Sequence, residues 1–261
     1  MADTYTLGID VGSTTSKCLI LKNGTEIAAS SLIPAGTGTS GPGRALAETL
    51  NDAGLKLEEL AAVTATGYGR NTFEGADFVV SELSCHALGA AALMPGVRTV
   101  IDIGGQDAKV LRVSPAGRLE RFLMNDKCAA GTGRFLEVMA RVLETDVSQL
   151  AEMDEKAKGV VPISSTCTVF AESEVISQLA KNVDIRDLVA GIHASVAVRT
   201  AGLARRLGVT APVGMTGGVA RNAGVVRALE KELNAPIAVS PMAQLAGAYG
   251  AALYGFKKKE G

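Results

Sequence analysis

The stretch Tyr5-Thr6-Leu7-Gly8-Ile9-Asp10-Val11-Gly12-Ser13-Thr14-Thr15-Ser16-Lys17-Cys18-Leu19-Ile20-Leu21 reads as a strand, a tight polar turn and a second strand. Gly12 permits unusual backbone angles, and Ser13, Thr14 and Thr15 supply hydroxyls and closely spaced N–H donors. That chemistry suits a phosphate, although a plain hairpin has the same outline. A second stretch bears on the choice: Val100-Ile101-Asp102-Ile103-Gly104-Gly105-Gln106-Asp107-Ala108-Lys109-Val110-Leu111. Asp10 aligns with Asp102, Gly12 with Gly104 and Lys17 with Lys109, each 92 residues apart. A repeat of strand-turn-strand units implies two related subdomains, and two phosphate-gripping hairpins facing one another would form a nucleotide cleft. A third glycine turn, Gly217-Gly218 in Val213-Gly214-Met215-Thr216-Gly217-Gly218-Val219-Ala220-Arg221-Asn222, lies between strand and helix patterns, where a ligand can approach backbone N–H groups.

Two further stretches carry a different chemistry. Asn125-Asp126-Lys127-Cys128-Ala129-Ala130-Gly131-Thr132-Gly133-Arg134-Phe135 and Ser164-Ser165-Thr166-Cys167-Thr168-Val169-Phe170-Ala171-Glu172 each place a cysteine in a small-residue loop before an apolar-periodic helix pattern. A sulfur near a positive helix terminus favours the thiolate. Two such thiolates are half of what an iron–sulfur cluster usually requires, and two identical chains meeting at a two-fold axis would supply four. Cysteine is also among the most buried residue types and often acts as a small hydrophobe, and these two lack the CxxC spacing of a recognised ligand motif.

Composition bounds the class. With 47% hydrophobic and 20% charged residues, the 261-residue chain is expected to fold as one large or two modest domains. A net charge of -1 without a basic stripe argues against nucleic-acid binding. Lys257-Lys258-Lys259 reads as a solvated tail. Gly, Pro or charge interrupts every long apolar run, so no membrane segment is expected and the reading is cytoplasmic, where four cysteines are expected to be reduced, catalytic or metal-bound.

Along the chain, Gly38 to Ala53 looks like a loop entering a helix and Ala61 to Thr66 like a short buried strand ending at Gly67. Phe78-Val79-Val80 reads as a strand and Ser81 to Leu93 as a helix. Cys85 and His86 in that helix point to different faces, which predicts one core and one surface residue. Helices are predicted over Thr168 to Leu179, Ile185 to Leu207 and roughly Met242 to Tyr254. His193 reads as a helix-face histidine without a metal partner, and Gln244 as a residue able to reach a nucleotide.

Asp10-x-Gly12-Ser13-Thr14, Asp102-x-Gly104-Gly105-Gln106 and Gly217-Gly218 together resemble the phosphate and adenosine motifs of the actin, sugar kinase and heat-shock-protein-70 ATPase superfamily. With the Cys128 and Cys167 motifs added, the chain resembles, over essentially its whole length, the activator component (component A) of 2-hydroxyacyl-CoA dehydratases. The resemblance implies an α/β fold of duplicated ribonuclease H-like (actin-like ATPase) subdomains with a nucleotide cleft between them. The expected ranges are 1–96 and 97–261, the second carrying the cluster cysteines, with a C-terminal helix able to pack back on the first. It implies a homodimer with one [4Fe-4S] cluster held by Cys128 and Cys167 of each chain. It also implies ATP-driven one-electron transfer from a ferredoxin or flavodoxin to a partner iron–sulfur dehydratase, for radical dehydration of a 2-hydroxyacyl-CoA.

On this reading Gly12, Ser13, Thr14, Thr15, Lys17, Gly104, Gly105 and Gln106 hold ATP or ADP phosphates. Asp10 and Asp102 orient Mg²⁺ through water, Gln106 orients the attacking water, and Gly217, Gly218, Val219 and Gln244 border the nucleoside. Alternatives are the activator of another ATP-dependent reductase, of benzoyl-CoA or double-cubane type, a small-molecule kinase, or a metal-free nucleotide switch of the same fold.

Overall fold

The computed structural model describes residues 3–125, 128–164 and 167–260, so Asp126, Lys127, Ser165 and Thr166 of the cysteine motifs lie outside the described residues. The chain divides into two compact units. The first comprises Met1–Val97, Val113–Glu120 and Pro241–Gly261, and the second Arg98–Arg112 and Arg121–Ser240.

In the first unit, β1 (Tyr5–Val11), β2 (Ser16–Lys22) and β3 (Glu26–Ile33) form an antiparallel meander. The chain then passes through helix α1 (Gly41–Ala53) to β4 (Ala62–Thr66), parallel to β1, and on to β5 (Phe78–Val79). The sheet order is β3-β2-β1-β4-β5. Period-two alternation sorts the faces: Leu7, Ile9, Val11, Cys18 and Ile20 pack with Ala45 of α1, while Leu19 and Leu21 turn to the opposite face. Helix α2 (Glu82–Leu93) follows, with the Ser81 side chain accepting from the Ser84 N–H as its N-cap.

The second sheet is built from β6 (Thr99–Ile103), β7 (Ala108–Val113), β8 (Leu119–Asn125), β9 (Val213–Thr216) and β10 (Ile237–Val239), in the order β10-β9-β6-β7-β8. β6 is antiparallel to β7 and parallel to β9, as β1 is to β2 and β4. The repeat seen in the two turns thus extends to strand order and direction in both sheets. Between β8 and β9 come α3 (Gly133–Val142), α4 (Leu150–Glu155), α5 (Thr168–Leu179) and α6 (Ile185–Leu207), and α7 (Ala223–Leu233) precedes β10. Helix α6 buries Leu188, Val189, Ile192, Val196 and Leu203, which forms the unit's central pillar.

The last helix, α8 (Ala246–Glu260), groups with the first unit, in keeping with the expectation that a C-terminal helix can pack back on it. The cause is close packing. A Cβ added at Gly250 would lie 1.8 Å from the Cys85 carbonyl oxygen, and one at Gly89 would lie 1.9 Å from that of Ala246, so α2 and α8 meet backbone to backbone. Ala248, Tyr249 and Ala252 of α8 cover Leu19 and Leu21. Among the described residues, no helix is long and apolar enough to cross a membrane.

Candidate functional site

In the first unit, Asp10 sits near the end of β1 directly across from Lys17 on β2, and the Lys17 Nζ lies 3.3 Å from Asp10 Oδ2. The turn between them closes when the Gly12 N–H donates to the Thr15 carbonyl at 3.0 Å. The glycine is needed there for space rather than for a left-handed φ, because a Cβ would stand 2.8 Å from the Thr15 oxygen. Ser13 is exposed at the tip, and Thr14 and Thr15 are half-buried. Asp10 also lies beside the end of β4, paired with Thr66. The next residue, Gly67, has φ +90°, and its added Cβ would be 2.4 Å from Asp10 Oδ1.

The second unit repeats this arrangement. The Gly104 N–H donates to the Asp107 carbonyl at 2.9 Å, Asp102 faces Lys109 across β6 and β7, and Gln106 is exposed at the tip. Asp102 pairs with Thr216 on β9, whose hydroxyl donates to Asp102 Oδ1 at 2.8 Å. Gly217 follows with φ +85°, and its Cβ would be 2.4 Å from the Ile103 carbonyl oxygen. Gly67 and Gly217 are therefore counterparts, a match that sequence reasoning missed because the residues around Gly67 and Gly217 share too little identity. The second grip is the more buried: Lys109 is 2% exposed and spans Asp102 at 3.4 Å and Asp107 at 2.8 Å.

Of the other expected nucleotide residues, Gly218 is exposed, Val219 is buried in the short turn after β9, and half-buried Gln244 belongs to the first unit, just before α8. His86 is buried as well as Cys85, contrary to the core-plus-surface expectation. Both residues lie on the buried part of helix α2, and the His86 Nε2 lies 3.9 Å from Asp10 Oδ2. His193 is likewise wholly buried: its Nε2 is 3.1 Å from Asn222 Nδ2, and its Nδ1 is 3.6 Å from Asp154 Oδ1. Asn222 caps α7 by accepting from the Val225 N–H. Proximity to His193, followed by the hydrogen bond from Arg227, holds the Asp154 carboxyl below the usual carboxylate range against the opposing effect of burial.

The four cysteines separate by environment. Burial pushes the Cys18 and Cys85 thiols up to about 12, Cys18 within the apolar core of the first sheet and Cys85 on buried helix α2 beside Thr66. Cys128 and Cys167 are exposed, both in the second unit. Cys167 is itself the N-cap residue of α5, whereas Cys128 stands five residues before α3, whose N-cap is Thr132. Glu174 reaches back to accept from the Ser164 N–H at 3.0 Å and from its hydroxyl, which fixes the chain ahead of the Cys167 loop. The fit for an iron–sulfur group is chemical: two accessible sulfurs in loops of small residues, beside two that burial keeps as thiols.

Duplicated sheets, each ending in an Asp–Lys grip over a glycine turn, define an ATPase of the actin-like class. The model of the BadF/BadG/BcrA/BcrD ATPase family matches residues 7–255, and the chain belongs to that family. It is 62% identical over 255 residues to the (R)-2-hydroxyglutaryl-CoA dehydratase activating ATPase of Acidaminococcus fermentans, covering 97% of this chain and 98% of that protein. The crystal structure of component A of the same organism's (R)-2-hydroxyglutaryl-CoA dehydratase is similar with a TM-score of 0.96 at 61% identity, covering 99% of this chain and 100% of that one. The activator of the 2-hydroxyisocaproyl-CoA dehydratase from Clostridium difficile with bound ADPNP gives a TM-score of 0.96 at 56% identity, covering 98% and 96%.

Proposed function

We propose that this chain activates a 2-hydroxyacyl-CoA dehydratase, using ATP binding and hydrolysis to drive one-electron transfer from a [4Fe-4S] cluster held by Cys128 and Cys167 of two copies. The observation that carries the reading is the division of the cysteines: the two in the expected ligand loops are accessible, and the two outside them are buried. Family membership supports the ATPase half. When bound, the cluster supplies a low-potential one-electron carrier.

The residues have separable tasks. The turns Gly12–Thr15 and Gly104–Gln106 offer N–H groups and hydroxyls to phosphate oxygens, with Lys17 adding charge at the first. Asp10 and Asp102, each beside a lysine, orient Mg²⁺ through its water shell, and exposed Gln106 is available to orient the attacking water. Gly217, Gly218, Val219 and Gln244 border the nucleoside. Exposed Cys128 and Cys167 hold iron from the second unit. A ferredoxin or flavodoxin supplies the electron, and the partner enzyme, not this chain, handles the acyl-CoA.

The test is iron, sulfide and molecular mass on protein purified without oxygen, together with the Cys128→Ala variant. The expected result is about four iron and four sulfide per dimer in the parent. The variant should lose its iron-dependent visible absorption and still bind ATP. A full cluster in the variant would sink the ligand assignment, and an iron-free monomer that phosphorylates a small molecule would replace the reading with a kinase.

A further inference from the structure

The second phosphate turn is bonded directly to the start of the helix that follows the Cys128 loop. The Gly133 N–H donates to the Gly104 carbonyl at 2.9 Å and the Arg134 N–H to the Gly105 carbonyl at 2.8 Å. The first N–H groups of a helix have no partner within it, and here two of them take the carbonyls of the turn expected to hold phosphate. Gly133 has little room beside that turn. An added Cβ would stand 3.1 Å from the Gly104 oxygen, 3.4 Å from the Gly105 Cα and 3.5 Å from Val219 of the third glycine turn.

The path from Gly133 back to Cys128 is short and tied. Thr132 is fully buried, its hydroxyl donates to the Ala129 carbonyl at 2.6 Å, and its N–H donates to the same oxygen at 3.0 Å. Gly131 holds φ +87° against the Arg199 stem on α6, and Ala130 is buried. At the other end, the Asn125 side-chain amide donates to the Cys128 carbonyl at 3.3 Å. A displacement of the Gly104–Gly105 carbonyls therefore has a bonded route to Cys128 that crosses one turn of backbone.

We propose that Gly133 and Thr132 are positioning residues that couple the second phosphate turn to Cys128, so that nucleotide at the turn sets the placement of the Cys128 sulfur. The inference rests on the ATP reading above and adds to it the residues that carry the coupling. Gly133 works by letting α3 approach the turn closely enough for two hydrogen bonds, and Thr132 by closing the cysteine loop onto the helix start.

The experiment uses the full chain in its iron-free form and follows alkylation of Cys128 and of Cys167 separately by peptide mass spectrometry, with and without Mg²⁺ and a non-hydrolysable ATP analogue. In the parent chain the analogue is expected to change the Cys128 rate by about fivefold. Gly133→Ala should bind the analogue with similar affinity while its Cys128 response falls below about twofold. Thr132→Val, which keeps the side-chain shape and removes the hydroxyl bond, should at least halve the response, and it decides the matter if Gly133→Ala does not fold. A full response at Cys128 in the variants, or a parent that binds the analogue without any change at Cys128, overturns the coupling and leaves the ATP reading intact. A parent that binds no nucleotide overturns both.

Discussion

Lys109 carries two carboxylates on one ammonium, buried Asp102 at 3.4 Å and partly exposed Asp107 at 2.8 Å. Removing one partner of a buried pair leaves uncompensated charge, so Lys109→Met is expected to lower stability by about 3 kcal/mol. Its counterpart Lys17 is 15% exposed, and Asp10 is the carboxylate it pairs with, so Lys17→Met should give a smaller shift in the urea midpoint. Equal shifts would show that the two grips are energetically alike. Asp154 supports a pH test. Its pKa is lowered in the fold, so the stability it contributes is present above the ordinary carboxylate pKa and is lost as pH falls through the folded value. Asp154→Asn should therefore lower Tm clearly at pH 7 and progressively less toward pH 3 in a calorimetric series. The Asp–Lys pairs were legible because Asp10, Gly12 and Lys17 recur as Asp102, Gly104 and Lys109 at a fixed offset of 92 residues. Gly67 and His86 were not, because nothing local marks a residue whose significance is its distance from Asp10.

Among the elements, helices with clean caps and stops were readable. Thr168–Leu179 and Ile185–Leu207 have the expected bounds, since Cys167 and Asp184 precede them in non-helical conformations and Gly208 ends the second. The last helix begins later and runs further than Met242 to Tyr254, because a short turn at Ala243–Leu245 precedes it and Lys257 to Lys259 continue its exposed final turn. β3 is interrupted by Ser30 and Ser31 and β10 is only three residues long, so pairing with β2 and β9 decides them. Backbones approach closely between α2 and α8. Gly250→Ala would place a methyl 1.8 Å from the Cys85 carbonyl oxygen, forcing the helices apart. The expected cost is about 3 kcal/mol. For a chain of this size that is a fall of about 6–12 °C in Tm, read by thermal unfolding. An unchanged Tm would mean that the helices slide freely.

At the scale of the whole molecule, the chain returns at its end to the unit it began. Deleting residues 241–261 uncovers Leu19 and Leu21 and removes a principal cover of one face of the first sheet. That truncation is expected to abolish cooperative unfolding followed by circular dichroism, whereas deleting residues 257–261, where Lys257 to Glu260 are exposed, should leave Tm within about 2 °C. A cooperative transition after the longer deletion would show that α8 is dispensable. The sequence by itself determined the duplication, the turns at Gly12, Gly104 and Gly217, and the distinctive cysteine loops, because turn chemistry and period-two alternation are local and repeat at measurable offsets. Only the tertiary structure decided that α2 and α8 meet backbone to backbone, that Gly67 answers Gly217, that Cys18 and Cys85 are shielded while Cys128 and Cys167 are open, and that the Cys128 loop hangs from the Gly104–Gly105 turn. Each of those depends on backbone approach or burial between residues far apart in the chain, which packing fixes and local pattern does not encode.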